Sequence, residues 1–129
     1  MLGVDVSILA TNAATGAYEI TLQKGMEGMG PPPHSHPWDE TFFILSGSVE
    51  VSCGDKTESC AAGALVHVPG GTVHAFRFGA EGGEMLEFTS AGGSATQMFA
   101  DLANTIDIEH PDMAKAVKVL QRNGTTVHL

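Results

Sequence analysis

Four side chains of this sequence have the types and the spacing of a metal-binding site: His34, His36, Glu40 and His74. His34 and His36 lie two residues apart, so on an extended backbone they point to the same side, and Glu40 opens the next predicted strand with the same parity. His74 would have to arrive on a separate strand. Three imidazoles and one carboxylate suit one divalent transition metal, whether iron, manganese, nickel, cobalt, copper or zinc. Because no cysteine is close in the sequence, a closed structural zinc site is not indicated.

Each of these residues also has an ordinary structural interpretation. A pair of histidines separated by one residue is a weak signal when it stands alone in a loop. A histidine on an apolar strand, such as His74, is more often a hydrogen-bonded core residue than a ligand. The choice between the two interpretations depends on the elements that would have to bring the four side chains together.

The segments around these residues have the alternating pattern of short strands. Residues 17–23 place Tyr18, Ile20 and Leu22 on one face and the more polar side chains on the other. Further strands are predicted at residues 40–45, 48–53, 57–60, 64–68, 72–78 and 84–89. The glycine- and proline-rich residues 25–33 predict a stiff, extended rim before the histidine pair.

The two cysteines flank a predicted hairpin. A turn at residues 54–55 would place Cys53 opposite Lys56 and Cys60 opposite Val49. The two sulfur atoms would then lie several residues apart along the ladder, too far apart for a disulfide. We therefore expect both cysteines to be reduced.

After residue 92 the apolar residues recur at helical spacing. Ser94 followed by Gln97 has the pattern of a capping box, and Pro111 suits the first position of a second helix. The Asn-Gly pair at residues 123–124 is a stop signal. The sequence therefore predicts a run of short strands followed by two short helices.

The composition restricts the class of protein. The chain has 129 residues, the size of one domain, and its 6 basic and 15 acidic side chains give a formal charge of −9. This charge disfavours nucleic acids and anionic membrane surfaces as partners. No stretch approaches the roughly 18 apolar residues of a spanning helix, and the first ten residues lack the pattern of a signal peptide. A cytoplasmic location is expected.

Two segments match the two motifs of the cupin superfamily. Residues 28–47, GMGPPPHSHPWDETFFILSG, fit G-x5-H-x-H-x3-E-x6-G at Gly28, His34, His36, Glu40 and Gly47. Residues 63–77, GALVHVPGGTVHAFR, fit G-x5-P-x-G-x2-H-x3 at Gly63, Pro69, Gly71 and His74. The sequence resembles small single-domain cupins of the cupin_2 type, and its first motif looks most like the quercetin-dioxygenase-like members. The second motif usually ends in asparagine, where this sequence has Phe78.

The resemblance implies an all-β fold, the double-stranded β-helix or jelly-roll barrel, followed by two short C-terminal α-helices. The single domain would cover residues 1–129, with the barrel over about 5–92 and the helices over about 94–123. The metal would be held by His34, His36, Glu40 and His74. The outward-facing Phe43 and Leu45 need cover from the helices or from a second subunit, and because small cupins usually dimerise, we expect a homodimer.

The predicted pocket around the metal is aromatic and apolar. Its candidate lining residues, chosen by strand parity or by nearness to the ligand loop, are Phe42, Ile44, Phe76, Phe78, Met29 and Trp38. Each of them could instead be ordinary core packing. Arg77 is predicted to point outward, and Lys24 faces the pocket only if it continues the apolar face of residues 17–23. Such a pocket suits a small neutral or mono-anionic organic molecule better than a polyanion.

The resemblance favours a metal-dependent enzyme, with dioxygenase-like chemistry as the first hypothesis and Glu40 as the candidate base. Two alternatives remain: a non-catalytic module that binds a small ligand, and a metal-dependent isomerase or lyase. The absence of an obvious second acid or base beside Glu40 in the sequence favours the binding module. A fold alone does not choose among them, since one fold serves many reactions.

Overall fold

The computed structural model describes residues 3–107 and 109–128. Its elements, in chain order, are β1 (Asp5–Ala10), α1 (Asn12–Thr15), β2 (Glu19–Gly25), β3 (His34–Ser35), β4 (Glu40–Cys53), β5 (Lys56–Ala61), β6 (Leu65–Val68), β7 (His74–Thr89), α2 (Ala95–Thr105), α3 (Met113–Arg122) and β8 (Thr126–Val127). This is the predicted all-β jelly-roll plan with two C-terminal helices. Within these ranges no helix is long and apolar enough to cross a membrane.

Two long strands, β4 and β7, organise the sheet. They pair with each other in antiparallel fashion, β2 joins the other edge of β7, and β1 joins β2. The strands β5 and β6 both pair with β4, while the short β3 lies between β7 and β8. The strand β7 therefore connects the ladder that carries β4 to the short strand that carries the first histidine.

Each of these long strands was predicted as two short ones, and that prediction is wrong. The pairing of β4 with β7 shifts register between Gly47 and Val49, and such a shift bends a strand without ending it. Gly47 has a φ of +68°, and a Cβ at this position would lie 2.1 Å from the carbonyl oxygen of Gly82. The glycine is needed for the close approach of the two strands and does not terminate β4.

The hairpin between β4 and β5 agrees with the prediction. Cys53 pairs with Lys56 and Cys60 pairs with Val49. Both thiols are free.

The apolar core is built mainly from alternate positions of β4 and β7, with Val68 added from β6. Its most completely buried members are Phe42, Ile44, Val49, Val68, Phe78 and Met85, each at most 2% exposed. Phe76 is also buried, and its ring lies edge-on to those of Phe42 and Phe78. The inward parity predicted for β4 and for the first part of β7 is confirmed.

The strand β2 buries its polar face, whereas its hydrophobicity pattern suggests that the apolar face is the buried one. Its polar residues Glu19, Thr21 and Gln23 are at most 2% exposed, whereas Ile20 and Leu22 on the other face are half-buried. Lys24 follows this outer face and pairs with a glutamate of β7, so it does not enter the pocket. Alternation fixes which residues share a face, but here hydrogen-bond partners from β7 and α2 decide which face is buried.

The two C-terminal helices begin differently from the prediction. The Ser94 side chain makes no capping hydrogen bond at α2. At α3 the N-cap is Asp112, whose carboxylate accepts from the backbone N–H groups of Ala114 and Lys115, so Pro111 precedes the helix and is not its first residue. The carboxylate of Asp112 satisfies two N–H groups that a helix start leaves free.

The helices α2 and α3 pack against each other through a small apolar cluster that includes Met98, Leu102, Val119 and Leu120. The cluster is separate from the core between β4 and β7. The helices contact β2 and β8, respectively. This position puts α2 beside the polar inner face of β2, next to the candidate metal centre.

Candidate metal centre

The sheet brings the four predicted ligands together from separate parts of the chain. His34 lies on β3 and is the register partner of His74, the first residue of β7. His36 follows β3, and Glu40 opens β4. One potential ligand atom from each of the four lies within 4.8 Å of the others. The separate strand that the sequence required for His74 is therefore β7.

The three imidazole rings share one hydrogen-bonding arrangement. Each ring places Nδ1 within hydrogen-bond distance of a backbone carbonyl oxygen two residues away. The pairs are His34 with Pro32 at 2.9 Å, His36 with Trp38 at 3.0 Å, and His74 with Thr72 at 2.9 Å. Since a carbonyl can only accept, each Nδ1 carries the proton and donates it, which leaves Nε2 as the coordinating atom. Metal-binding histidines are commonly oriented in this way.

Glu40 is the point at which the ligand atoms converge. Its Oε2 lies 2.9 Å from Nε2 of both His36 and His74. Burial alone would raise the pKa of Glu40, but the hydrogen bonds from these two histidines outweigh it and hold the pKa well below its usual range. The carboxylate is therefore ionised and suited to bind a cation.

The histidines respond to burial in opposite directions. Burial lowers the pKa of His34 to about 4, with help from the charge of His74. Burial also acts to lower the pKa of His74, but its hydrogen bond with Glu40 and the charge of that carboxylate raise the pKa above its usual value. Without metal, His34 is neutral, and His74 holds a second proton more readily than His34 does. A dication at the same place would displace that proton.

This donor set fits a divalent transition metal. His36, Glu40 and His74 are at most 6% exposed, and His34 is half-buried. A structural role would account for one hydrogen bond at each Nδ1, but it gives no reason for three rings to gather around one carboxylate. Three nitrogen donors and one oxygen donor are a common ligand set for such metals.

A small cavity of about 30 Å³ is lined by three of the four residues, His34, His36 and Glu40. Trp38 and Phe76 line it from the barrel, and Met98 and Phe99 line it from α2. Phe42, Ile44, Phe78 and Met29, which the sequence also suggested as lining residues, belong to the packed core or lie against it. The cavity is the size of one or two water molecules.

The structure adds a buried acid, Glu87, that sequence reasoning left without a role. It lies on the inner face of β7, is 4% exposed and lines the cavity with Gln23. Its carboxyl group accepts hydrogen bonds from Gln23 Nε2 at 2.8 Å and from Thr21 Oγ1 at 3.4 Å. Burial and the nearby charge of Glu40, with which it is hydrogen-bonded, raise the pKa of Glu87 well above its usual range. The available signal was its strand parity with the apolar Met85 in residues 84–89.

The chain was compared with known families and structures. The Cupin_2 family model, described as the cupin domain, matches residues 19–91, which is more than half of the chain. It is a cupin. This confirms the family that the two motifs indicated.

A curated relative, the uncharacterized protein SCO3923 of Streptomyces coelicolor, is 37% identical over 65 residues. The match covers 50% of this cupin and 57% of that protein.

Solved structures share the fold at lower sequence identity. KdgF from a Halomonas species has a TM-score of 0.66 at 19% identity, over 73% of this cupin and 84% of that chain. The polyketide cyclase RemF from Streptomyces resistomycificus has a TM-score of 0.61 at 22% identity, over 68% and 65%. The DMSP lyase DddQ from Ruegeria pomeroyi has a TM-score of 0.63 at 22% identity, over 69% and 47%. At these identities the similarity establishes the fold alone.

Proposed function

We propose that this cupin is a metal-dependent enzyme acting on a small neutral or mono-anionic organic substrate. One divalent transition metal would be held by His34, His36, Glu40 and His74. The observation that carries the proposal is the shared orientation of the three imidazoles, each with Nδ1–H committed to a backbone carbonyl and with the ligand atoms clustered. Such an arrangement is costly to build around buried polar groups unless a ligand occupies it.

A bound divalent metal would supply Lewis-acid or redox chemistry at the cavity. The chain itself contributes position and shielding. The proline rim and β3 fix the histidines, while Phe76, Met98 and Phe99 form an apolar part of the cavity wall. Glu40 is a weak base as long as two histidines hydrogen-bond to it, so its proposed second role as a base requires it to loosen from them.

The charge of the barrel supports the proposed class of substrate. Residues 1–90 carry 11 acidic and 3 basic side chains. Among the described residues that line the cavity, two are glutamates and none is lysine or arginine. A polyphosphate or another polyanion would meet only repulsion there. A neutral or mono-anionic molecule would not.

Dioxygenase-like chemistry is the first reaction class to test, and it follows from the likeness of the first motif. The experiment measures O2 uptake by the Fe(II), Mn(II), Ni(II) and Cu(II) forms against a catechol, a flavonol and a β-diketone. We expect uptake with at least one combination, and none with a His74→Ala variant treated in the same way. No turnover with any form would count against the oxygenase. The folds of the cyclase and the lyase make non-oxidative reactions the next class to assay.

A non-catalytic ligand-binding module is the second candidate, and it is favoured by the lack of an obvious second acid or base beside Glu40 in the sequence. The only tryptophan of the sequence, Trp38, stacks on His36 with ring centroids 4.3 Å apart. Its fluorescence should therefore report events at the site. Ligand-dependent fluorescence changes without turnover, across the same panel, would favour this second candidate.

We also propose a homodimer, formed through the outer face of the sheet. Leu65, Phe43, Leu86 and Leu22 follow one another in register across β6, β4, β7 and β2. Leu65 is 65% exposed, and Phe43, Leu86 and Leu22 are half-buried. Light scattering should give about twice the chain mass, and Leu65→Glu should shift the protein toward monomer. A monomeric wild type would refute this interface. A cytoplasmic location also belongs to the proposal, in keeping with the two free thiols.

A further inference from the structure

The C-terminal segment, residues 124–128, returns to the strand that carries the first histidine. Here β8 pairs with β3, and Val127 is the register partner of His34. Beyond the strand, the backbone N–H of His128 donates to the carbonyl oxygen of Pro33 at 2.8 Å. The two-residue strand β3 is therefore held from both sides, by β7 and by the C-terminal segment.

The C-terminal segment reaches a second histidine through an aromatic ring. Gly124 precedes β8, and a Cβ at this position would lie 3.1 Å from Cζ3 of Trp38. The backbone of the segment therefore packs closely on the indole. The indole in turn stacks on the imidazole of His36, with the two ring planes 5° apart. Both histidines of the first motif are thus linked to residues 124–128.

The same segment is tied to the two helices. The backbone N–H of Thr125 donates to the carbonyl oxygen of Leu120 at 2.9 Å, and Thr125 is 1% exposed. Val127 packs against the apolar cluster of α2 and α3. These contacts give β8 an anchor that is independent of β3. The segment lies beyond the cupin domain match, which ends at residue 91, so its role does not follow from membership of the family.

We propose that the C-terminal segment is a positioning element for the metal centre, and that it holds His34 and His36 in the arrangement that binds metal. This inference rests on the proposed metal site. The prolines at residues 31–33 stiffen the approach to β3 but have no N–H groups to donate, so this part of the ligand loop depends on donors from other strands. Groups already held in the binding geometry lose less conformational entropy when the ligand binds.

Two variants of His128 separate the backbone of the segment from its side chain. His128→Pro removes the N–H that donates to Pro33, whereas His128→Ala keeps it. Both remove the imidazole, whose Nε2 lies 2.8 Å from the hydroxyl oxygen of Ser35 in an exposed position. Loss of one backbone hydrogen bond corresponds to roughly 3- to 10-fold in an equilibrium constant. We expect His128→Pro to raise the Co(II) dissociation constant by about that factor, and His128→Ala by less than about twofold.

The experiment titrates Co(II) into the chelator-treated wild type and both variants, and follows Trp38 fluorescence and Co(II) absorption. The urea midpoint of each metal-free protein is measured in parallel. A role in stability alone would lower the urea midpoint of His128→Pro and leave the Co(II) affinity of the folded protein unchanged. Equal dissociation constants for His128→Pro and His128→Ala would overturn the inference.

Reciprocity between two linked sites supplies a second readout. If the C-terminal segment favours metal binding, bound metal must favour the docked segment by the same factor. Hydrogen exchange followed by mass spectrometry, with and without Zn(II), should therefore show slower exchange at residues 124–128 when Zn(II) is present. The strand β1, which pairs with β2, serves as the control and should change little. Unchanged exchange at residues 124–128 would contradict the inference.

A second pair of variants decides the matter if His128→Pro does not fold. Val127→Ala and Val117→Ala each trim a half-buried valine, but Val127 pairs with β3 whereas Val117 lies on α3. Val127→Ala should raise the Co(II) dissociation constant several-fold, and Val117→Ala should stay within about twofold of wild type. Equal values for the two would refute the inference. Failure of the wild type itself to bind Co(II) would instead refute the proposed metal site.

Discussion

The attachment of helix α2 to the barrel depends on one buried carboxylate, Glu19. This residue of β2 is 1% exposed and takes the place that Ser94 was predicted to fill. Its Oε1 accepts from the backbone N–H of Ala95 at 3.0 Å, and its Oε2 accepts from the backbone N–H and the hydroxyl of Thr96. The hydroxyl of Thr89 on β7 donates to Oε1 at 3.3 Å. One side chain therefore joins β2, β7 and α2.

The cost of Glu19→Ala can be built from these contacts. Loss of an N-cap costs about 0.5–2 kcal/mol. The buried donors left without a partner add about 1–3 kcal/mol for each that water cannot reach. Because the cavity created by the truncation admits some water, we expect a total of about 2–4 kcal/mol. Ser94→Ala should cost less than about 0.5 kcal/mol, since Ser94 makes no capping bond.

Urea denaturation measures how much Glu19→Ala and Ser94→Ala each lower the free energy of unfolding relative to wild type. The comparison holds if the variants have the m-value of the wild type. Glu19→Gln should fall between the two, because an amide oxygen still accepts but carries no charge. Limited proteolysis gives a local readout: cleavage after residue 90 should accelerate in Glu19→Ala and remain unchanged in Ser94→Ala. The reasoning is refuted if Glu19→Ala costs no more than Ser94→Ala.

Three further predictions follow from individual sites. Gly47→Ala should lower the free energy of unfolding, measured by urea denaturation, by more than Gly28→Ala does. Both glycines have a positive φ, but only at Gly47 would a Cβ lie 2.1 Å from a backbone oxygen. Equal losses in the two variants would contradict this. Phe42→Ala should lower the free energy of unfolding by about 3–5 kcal/mol, since Phe42 is 0% exposed. A loss below about 1 kcal/mol would show that the core is not packed as described. In metal-free protein His34 has a folded pKa of about 4, below its unfolded value, so its contribution to stability is lost as the pH falls from about 6.5 to about 4. The wild type should then lose up to about 3 kcal/mol more than His34→Gln over that range, and equal losses would refute the assignment.

The candidate metal centre was largely predictable because its information is local. The motif spacing named all four residues, and strand parity correctly turned Phe42 and Phe76 inward. The motif spacing does not name the partners of the histidine Nδ1 atoms, which are all backbone carbonyls.

The features of the fold and the site that the sequence did not predict depend on pairings between distant segments. Glu19 and Gln23 looked like the solvent face of β2, because alternation alone cannot say which face is covered. Their partners lie 64 to 77 residues away, on β7 and at the start of α2. The burial of Glu87 depends on the same register between β2, β7 and β4. A polar face that is buried by non-local hydrogen bonds leaves no periodic signal in the sequence.

The central claim is that four side chains hold one metal, and metal content tests it most directly. Wild type and His74→Ala are purified together, exposed to a divalent metal, freed of loosely bound ions by gel filtration and analysed by mass spectrometry of the elements. The wild type should carry close to one divalent metal per chain, and His74→Ala should lose most of it while retaining the far-ultraviolet circular dichroism of the fold. Equal trace amounts in both proteins would contradict the metal centre.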